Sequence, residues 1–406
     1  MVERRRQVPV TTRYVATATG NDGNAGTAAA PWKTINRATQ GPEYQPGDGF
    51  AVLPGTYAEE VICGRPGALG RPVSLFSAVP RGALIRPPAN AYSSIRTVQP
   101  YWDVAGFDVS NPTGAGIDNT WNGSKAHHLS IHDNYIHDCG SNGIGLAWAD
   151  WFWIARNEVA RCAATSPYQT SGITVYQPQD NSGDQSRGWR IVAEGNWSHD
   201  NFETPVIPPN HTDGNGLIFD DFRNTQQNTY KAPTAYPYGA LARWNLLTGN
   251  GGTGGHAYLS DNVTFLENTA ANNNRDPLNS AQQRAALIAL VSGNMKMIGN
   301  ISVSDTAVNP GNFAFGFYQA FGCTMDRNMD FNRAKPGSQS ILNPSGVTIT
   351  NQISGFDPVL DTAWLPHSSM AGGLGAPRFV AAAASPVATL PPDVRASLNQ
   401  ILQDYP

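Results

Sequence analysis

One asparagine frame recurs along this chain and constrains its fold more than any other feature. Asn134 lies in HHLSIHDNYIHDC, Asn157 in DWFWIARNEVARC and Asn196 in WRIVAEGNWSHD, and Asn245, Asn268, Asn300 and Asn328 carry the same setting. The residues five and three before them are mostly apolar: Leu129/Ile131, Phe152/Ile154, Ile191/Ala193, Val263/Phe265, Met295/Met297 and Cys323/Met325. That alternation is the period of a strand with one buried face, ending at an Asn corner. A single such unit cannot bury its apolar face alone, so the units are expected to stack into a solenoid. Successive corners are separated by 23, 39, 49, 23, 32 and 28 residues. The minimal coil is therefore about 23 residues, and the 49-residue interval marks a long excursion. Long loops on a regular scaffold are where function concentrates.

Composition agrees with an all-β repeat. Only 14% of residues are charged and 41 are glycine, whereas helical repeats need Ala, Leu, Glu and Lys in quantity. A second strand signal, such as GIGLA (143–147), GITVY (172–176) or GLIFD (216–220), falls within each coil. A net charge of −4 offers no electrostatic footprint for nucleic acid. No apolar run is long enough to span a membrane. The N-terminal MVERRRQVPV lacks the apolar core of an intact signal peptide. A secreted or periplasmic monomer whose signal has been removed is the expectation. Cys139 and Cys162 each follow a ladder Asn by five residues, which places them on adjacent coils about 5 Å apart. That spacing permits a disulfide or a stack of free thiols.

The expected organisation is a disordered or appended stretch over 1–13, a solenoid with its N-terminal cap over 14–351, and a C-terminal cap and tail over 352–406. The cap would use a short helix in PWKTINRAT (31–39), with Trp32, Ile35 and Ala38 on one face, and PPDVRASLNQILQDY (391–405) has helical spacing.

Three features resemble the right-handed parallel β-helix proteins of the pectate-lyase-like superfamily. They are the opening YVATATGNDGNAGTAAAPWKTINRA with PGDGFAVLPGTY, the Asn ladder, and the block HTDGNGLIFDDF with NGGTGGHAYLSDNVTFLENTAANNNRD. The resemblance implies a polysaccharide substrate held in a groove beside one strand of each coil. It does not fix the reaction, because that superfamily spans lyases, hydrolases, epimerases and noncatalytic adhesins. His211-Thr212-Asp213, Asp220-Asp221 and Gly254-Gly255-His256 echo three motifs of the polygalacturonase-type hydrolases, although that family's Arg-Ile-Lys is missing.

The densest polar cluster is NHTDGNGLIFDDFRN (210–224). Leu217 and Phe219 match inward positions of neighbouring coils, so Asp220 is expected to point outward, with Asp221 at the bend and Asp213 before the strand. Three carboxylates there must share a cation, share a proton or spread into solvent. They are candidate Ca²⁺ ligands or catalytic acid/base groups, or simply turn residues. His211 is a candidate base or a loop cap. Lys231, Arg223 and Arg243 are candidate basic groups for β-elimination on a uronate or for substrate binding, or else solvated and scaffold-borne cations. Trp148 and Tyr176 are candidate sugar platforms. His256 aligns with the inward Ile144 and is expected to be buried in the stack, with substrate contact as its alternative role. His137-Asp138 and His199-Asp200 repeat the same offset from the ladder, which favours stacked structural pairs. The groove is expected beside 216–220, walled by the loops 202–210 and 223–238. The reading is a lyase cleaving a uronate-containing polysaccharide by β-elimination. A glycoside hydrolase using Asp213, Asp220 and Asp221, and a noncatalytic carbohydrate-binding solenoid, are the alternatives.

Overall fold

The computed structural model describes residues 9–203, 211–279, 284–307, 309 and 311–379. Three parallel sheets of 12, 11 and 10 strands run the length of the molecule. Each coil visits them in that order, as in Phe152–Ala155, Glu158–Ala160 and Ile173–Tyr176. The next coil repeats it in register, with Phe152 beside Ile191 and Ile154 beside Ala193. This is a parallel β-helix. Its interior is one continuous apolar cluster in which Leu129, Phe152, Ile154, Ile173, Phe219 and Phe265 are all buried.

The asparagines occupy the corner between the 12- and 11-stranded sheets. The backbone N–H and side-chain Nδ2 of Asn134 both donate to Oδ1 of Asn157, at 3.1 and 3.0 Å. Asn157 donates likewise to Asn196, and Asn196 to Asn245. The series continues through Asn268, Asn300 and Asn328. The corner needs these bonds because the preceding residue sits in the left-handed region: Asp133 at φ 59°, Arg156 at 52°, Trp244 at 56°, Glu267 at 51° and Arg327 at 50°. The chain turns there, its ladder is interrupted, and a side-chain amide supplies the missing partner.

A second column stands five residues later. Oδ1 of Asn201 accepts from the N–H of Cys162 at 3.0 Å, and Nδ2 of Asn201 donates to Asn250, which donates in turn to Asn273. Cys139 and Cys162 occupy the equivalent places on earlier coils, buried as free thiols.

At the N-terminal end, helix Ile35–Gln40 starts at Thr34, whose side chain accepts from the N–H of Arg37. The Glu59 carboxylate takes the next two free N–H groups, from Ile35 and Asn36. Ile35, Ala38 and Trp32 face inward. The first strand, Thr12–Val15, already pairs with Gly49–Val52, so the ordered fold begins before residue 14. Beyond the last coil the chain turns back along the flank of the 11-stranded sheet. Gly375 donates to the Gly299 carbonyl, Ala376 to Thr269 Oγ1, and Phe379 lies 5.7 Å from Trp197. Ile353–Ser354 still pairs within the 11-stranded sheet, the segment 355–379 is a strap on the side of the stack, and the helical pattern at 391–405 lies outside the described residues.

Candidate functional site

Register fixes which side chains share the outer face of the 10-stranded sheet. Thr174, Ile218, His256 and Ile288 form one row across adjacent strands. Tyr176, Asp220, Tyr258 and Leu290 form the next. Asp220 therefore stands between two tyrosines about 4.8 Å away on either side. Its Oδ1 accepts from Gln226 Nε2 at 2.6 Å. Burial, opposed by that bond and assisted by the nearby Asp221 charge, pushes its carboxyl up to about 7.

Asp213 is held in the segment leading into the same strand. Its N–H donates to Oε2 of Glu203 at 3.1 Å, and Thr212 Oγ1 donates weakly to its Oδ1 at 3.4 Å. Burial, followed by the charges of Glu203 and Asp220, raises its carboxyl well above the ordinary range. Glu203 is raised as well, chiefly by burial, and its Oε1 has no protein partner. The charges of Glu203 and Asp220 thus both weigh against ionisation of Asp213.

His211 is buried beside this set, its Nδ1 3.0 Å from Oδ2 of Asp276. His256 departs from its expected position. Gly255, and not His256, stands in register with the inward Leu217, so His256 projects onto the outer face. It is nonetheless only 7% exposed and neither ring nitrogen has a protein partner. Burial lowers its pKa to about 4, leaving a neutral imidazole whose one donor and one acceptor are both buried.

The remaining candidates divide differently. Asp221 is fully buried at the bend with φ 50°. Its carboxylate accepts from the Thr225 N–H and hydroxyl, the Gln226 N–H and Gln177 Nε2, at 2.7–2.9 Å. Four donors occupy its lone pairs, so Asp221 organises the excursion loop and does not fit a cation shared with Asp213 and Asp220. Among the described residues no group of three or more His, Cys, Asp or Glu side chains converges as metal ligands would. Arg223 is engaged in a two-pronged pair with Asp261 at 2.7 and 2.9 Å. Arg243 lies on the 12-stranded sheet, buried against Glu194 and over the Trp244 ring. Neither arginine is placed to act on the Asp220 face. The Lys231 N–H bonds to Asn228 within the loop. Trp148 is buried beneath that loop, 4.8 Å from the Tyr230 ring, and so is packing rather than a platform. Tyr176 does lie on the face, its hydroxyl raised to about 12 by burial and by the Asp220 and Asp221 charges. Of the two expected walls, the loop 223–238 folds against the preceding coil through Gln177–Gln226 and Gln179–Tyr230 bonds. Most of the other, 204–210, lies outside the described residues. Glu203, Tyr258 and Asp276 were not singled out from sequence. With His256 read as inward, alternation put Tyr258 inward too, and only the register of Gly255 with Leu217 turns both outward.

No protein-family model and no curated protein sequence matches the chain. Several solved structures are similar to it. Pectate lyase Pel9A superposes with a TM-score of 0.47 at 14% identity, over 88% of this chain and 82% of that one. A GH136 lacto-N-biosidase from Eubacterium ramulus gives 0.44 at 11%, over 87% and 66%. The A-module of the Azotobacter vinelandii mannuronan C-5 epimerase AlgE6 gives 0.43 at 11%, over 76% and 91%. At such identities the reaction has to be argued from the site itself.

Proposed function

We propose that the protein is a glycoside hydrolase acting on a polysaccharide laid over the outer face of the 10-stranded sheet, with Asp213 as general acid and Asp220 as base or nucleophile. The observation that supports this reading is the pair itself: two neighbouring carboxyls, both raised by burial, with the charges of Glu203 and Asp220 adding to burial at Asp213. Environments that separate two carboxyls in this way assign the acid and base roles. Asp213, its carboxyl raised by burial and by the charges of Glu203 and Asp220, gives its proton to the departing glycosidic oxygen. Asp220, ionised above about pH 7, takes a proton from attacking water or bonds to the anomeric carbon, and water then releases the sugar. Tyr176 and Tyr258 flank the carboxylate with flat faces and hydroxyls suited to sugar rings. With Asp221's lone pairs already taken, the carboxylates act here as acid and base and not as shared calcium ligands.

A second reading is β-elimination, with His211, oriented by Asp276, as the base in place of the engaged arginines. Both readings need an enzyme, unlike a carbohydrate-binding solenoid. Incubation with a polysaccharide panel, following reducing ends and the ultraviolet absorbance of new double bonds together, separates them. Reducing ends without unsaturation is the expected result. Unsaturated products would replace hydrolysis with elimination, and no cleavage of any polymer would leave a binding protein.

A further inference from the structure

Three strands N-terminal to Asp220, the same outer face carries a second polar and aromatic group that the proposed chemistry does not use. Arg96 and Asp118 are register partners on adjacent strands. Asp118 points outward: a Cβ on Gly145, the next residue in that row, would lie 2.7 Å from its Oδ2. Its Oδ1 accepts the Thr120 N–H and hydroxyl. Arg96 is 91% buried by the complement of its 9% exposure, bonds Glu60 at 2.8 Å, and has no protein partner for Nε. Its guanidinium lies 4.3 Å from the centre of the Trp121 ring. Trp121 and Tyr92 meet edge to face at 5.1 Å, yet they keep 40% and 41% of their surfaces exposed. Two large rings left in solvent above a buried ion pair are an unusual use of aromatic surface unless a ligand covers them.

The row connecting this group to the site runs Asp118, Gly145, Thr174, Ile218. This row of three strand spacings spans about 14 Å between the two groups. Tyr230, from the excursion loop, borders it by packing so close to Gly123 that a Cβ there would sit 2.2 Å from its ring. We propose that Tyr92, Arg96, Asp118 and Trp121 form a remote subsite that binds an uncharged sugar unit of the same polymer whose glycosidic bond lies over Asp220. The inference rests on the hydrolase reading for the position of the cleaved bond. The rings stack on the sugar face, while Asp118 and Arg96 bond its hydroxyls. Because Glu60 already neutralises Arg96 and the subsite carries the Asp118 carboxylate, a uronate would meet like charge there with no free cation among the subsite's described residues to answer it. The substrate class is therefore a neutral polysaccharide.

The test is affinity gel electrophoresis of the full chain and its Trp121→Ala variant in gels containing xylan, glucomannan, galactan, polygalacturonate or alginate. Trp121 is largely surface, so the variant should fold. The expected result is retardation of the unaltered protein by at least one neutral polymer, weakened about tenfold in Trp121→Ala, as the loss of one stacking ring allows. Equal retardation of both proteins, retardation by the anionic polymers alone, or none by any polymer would overturn the subsite. Turnover of Asp220→Asn, measured alongside, keeps the two ideas apart. An inactive Asp220→Asn with unchanged Trp121→Ala binding removes only the subsite. An active Asp220→Asn with weakened Trp121→Ala binding removes only the hydrolase reading.

Discussion

Two buried polar groups on different faces of the same stack have opposite electrostatics. On the 12-stranded sheet, His132 bridges Asp103 at 2.7 Å and Asp133 at 2.5 Å, and Asp133 is gripped in turn by Arg156 at 2.7 Å. Burial works against charge on His132, but the two aspartates outweigh it and raise the ring to about 9. Asp133 is drawn down to about 2, its burial overcome by His132 and Arg156. Around Asp213, Asp220 and Glu203 no such cation grips a carboxylate among the described residues, His211 only partly opposes the rise of Glu203, and all three carboxyls are driven toward the neutral form. A network in which every charge is answered stabilises a fold. One in which like groups are left to compete stores the pKa separation that acid/base chemistry needs. By this comparison the densest ionic cluster is scaffold, and the proposed site is the place where compensation is lacking.

The largest effect should therefore fall on turnover. Asp220→Asn and Asp213→Asn should each lower kcat on the cleaved polymer at least a hundredfold, roughly 2.7 kcal/mol of transition-state stabilisation, with unchanged far-UV spectra. In the unaltered enzyme kcat/KM should rise with pH through about 7 as Asp220 ionises. That limb belongs to the coupled pair and should vanish in Asp220→Asn. The His132 network should respond the other way, with stability lost and chemistry kept. His132→Gln leaves Asp103 and Asp133 buried without their shared cation, so denaturant unfolding at pH 6 should show a loss of about 3–5 kcal/mol. The His132 contribution is fully present below the ordinary histidine pKa and is lost as pH rises through about 9. The penalty should therefore shrink in alkaline solution, whereas a merely steric defect would not change. Smaller again is the ladder: Asn196→Ala leaves the Asn157 N–H and Nδ2 without their acceptor and should cost about 1–2 kcal/mol. Smallest should be Arg161→Ala. Its pair with Asp138 is about half exposed on both sides, so a shift beyond about 1 kcal/mol would be unexpected.

The coil frame was legible because burial imposes a period on the sequence. Leu217 and Phe219 read inward, and Asp220 outward, from alternation alone. His256 was misplaced by one residue, since Gly255 takes the inward place and has no side chain to announce it. The second asparagine column was visible in outline as the five-residue offset to Cys139 and Cys162, which Asn201, Asn250 and Asn273 continue. Asp221 read like its neighbour Asp220. Only the fold shows that the bend turns its carboxylate into the donors of Gln177, Thr225 and Gln226. Glu203 and Asp276 reach the site from segments that no local pattern ties to it, and Arg243 was drawn in by sequence proximity while residing on another face. Pairings that cross coils depend on the lengths of the intervening loops, which alternation does not encode.

The most direct test of the uncompensated site is the stability of Asp220→Asn relative to the unaltered protein, measured by denaturant unfolding from about pH 4 to about pH 9. A carboxyl raised to about 7 in the folded state gives stability that is full below its unfolded pKa and is lost as pH rises toward 7. Asparagine has no such proton to lose. The variant should therefore gain on the unaltered protein as pH rises, by on the order of 3 kcal/mol across that range, with the change levelling off above about pH 7. A difference that stays constant with pH, or that moves against the variant in alkali, would show that the Asp220 charge is compensated after all and would contradict the account.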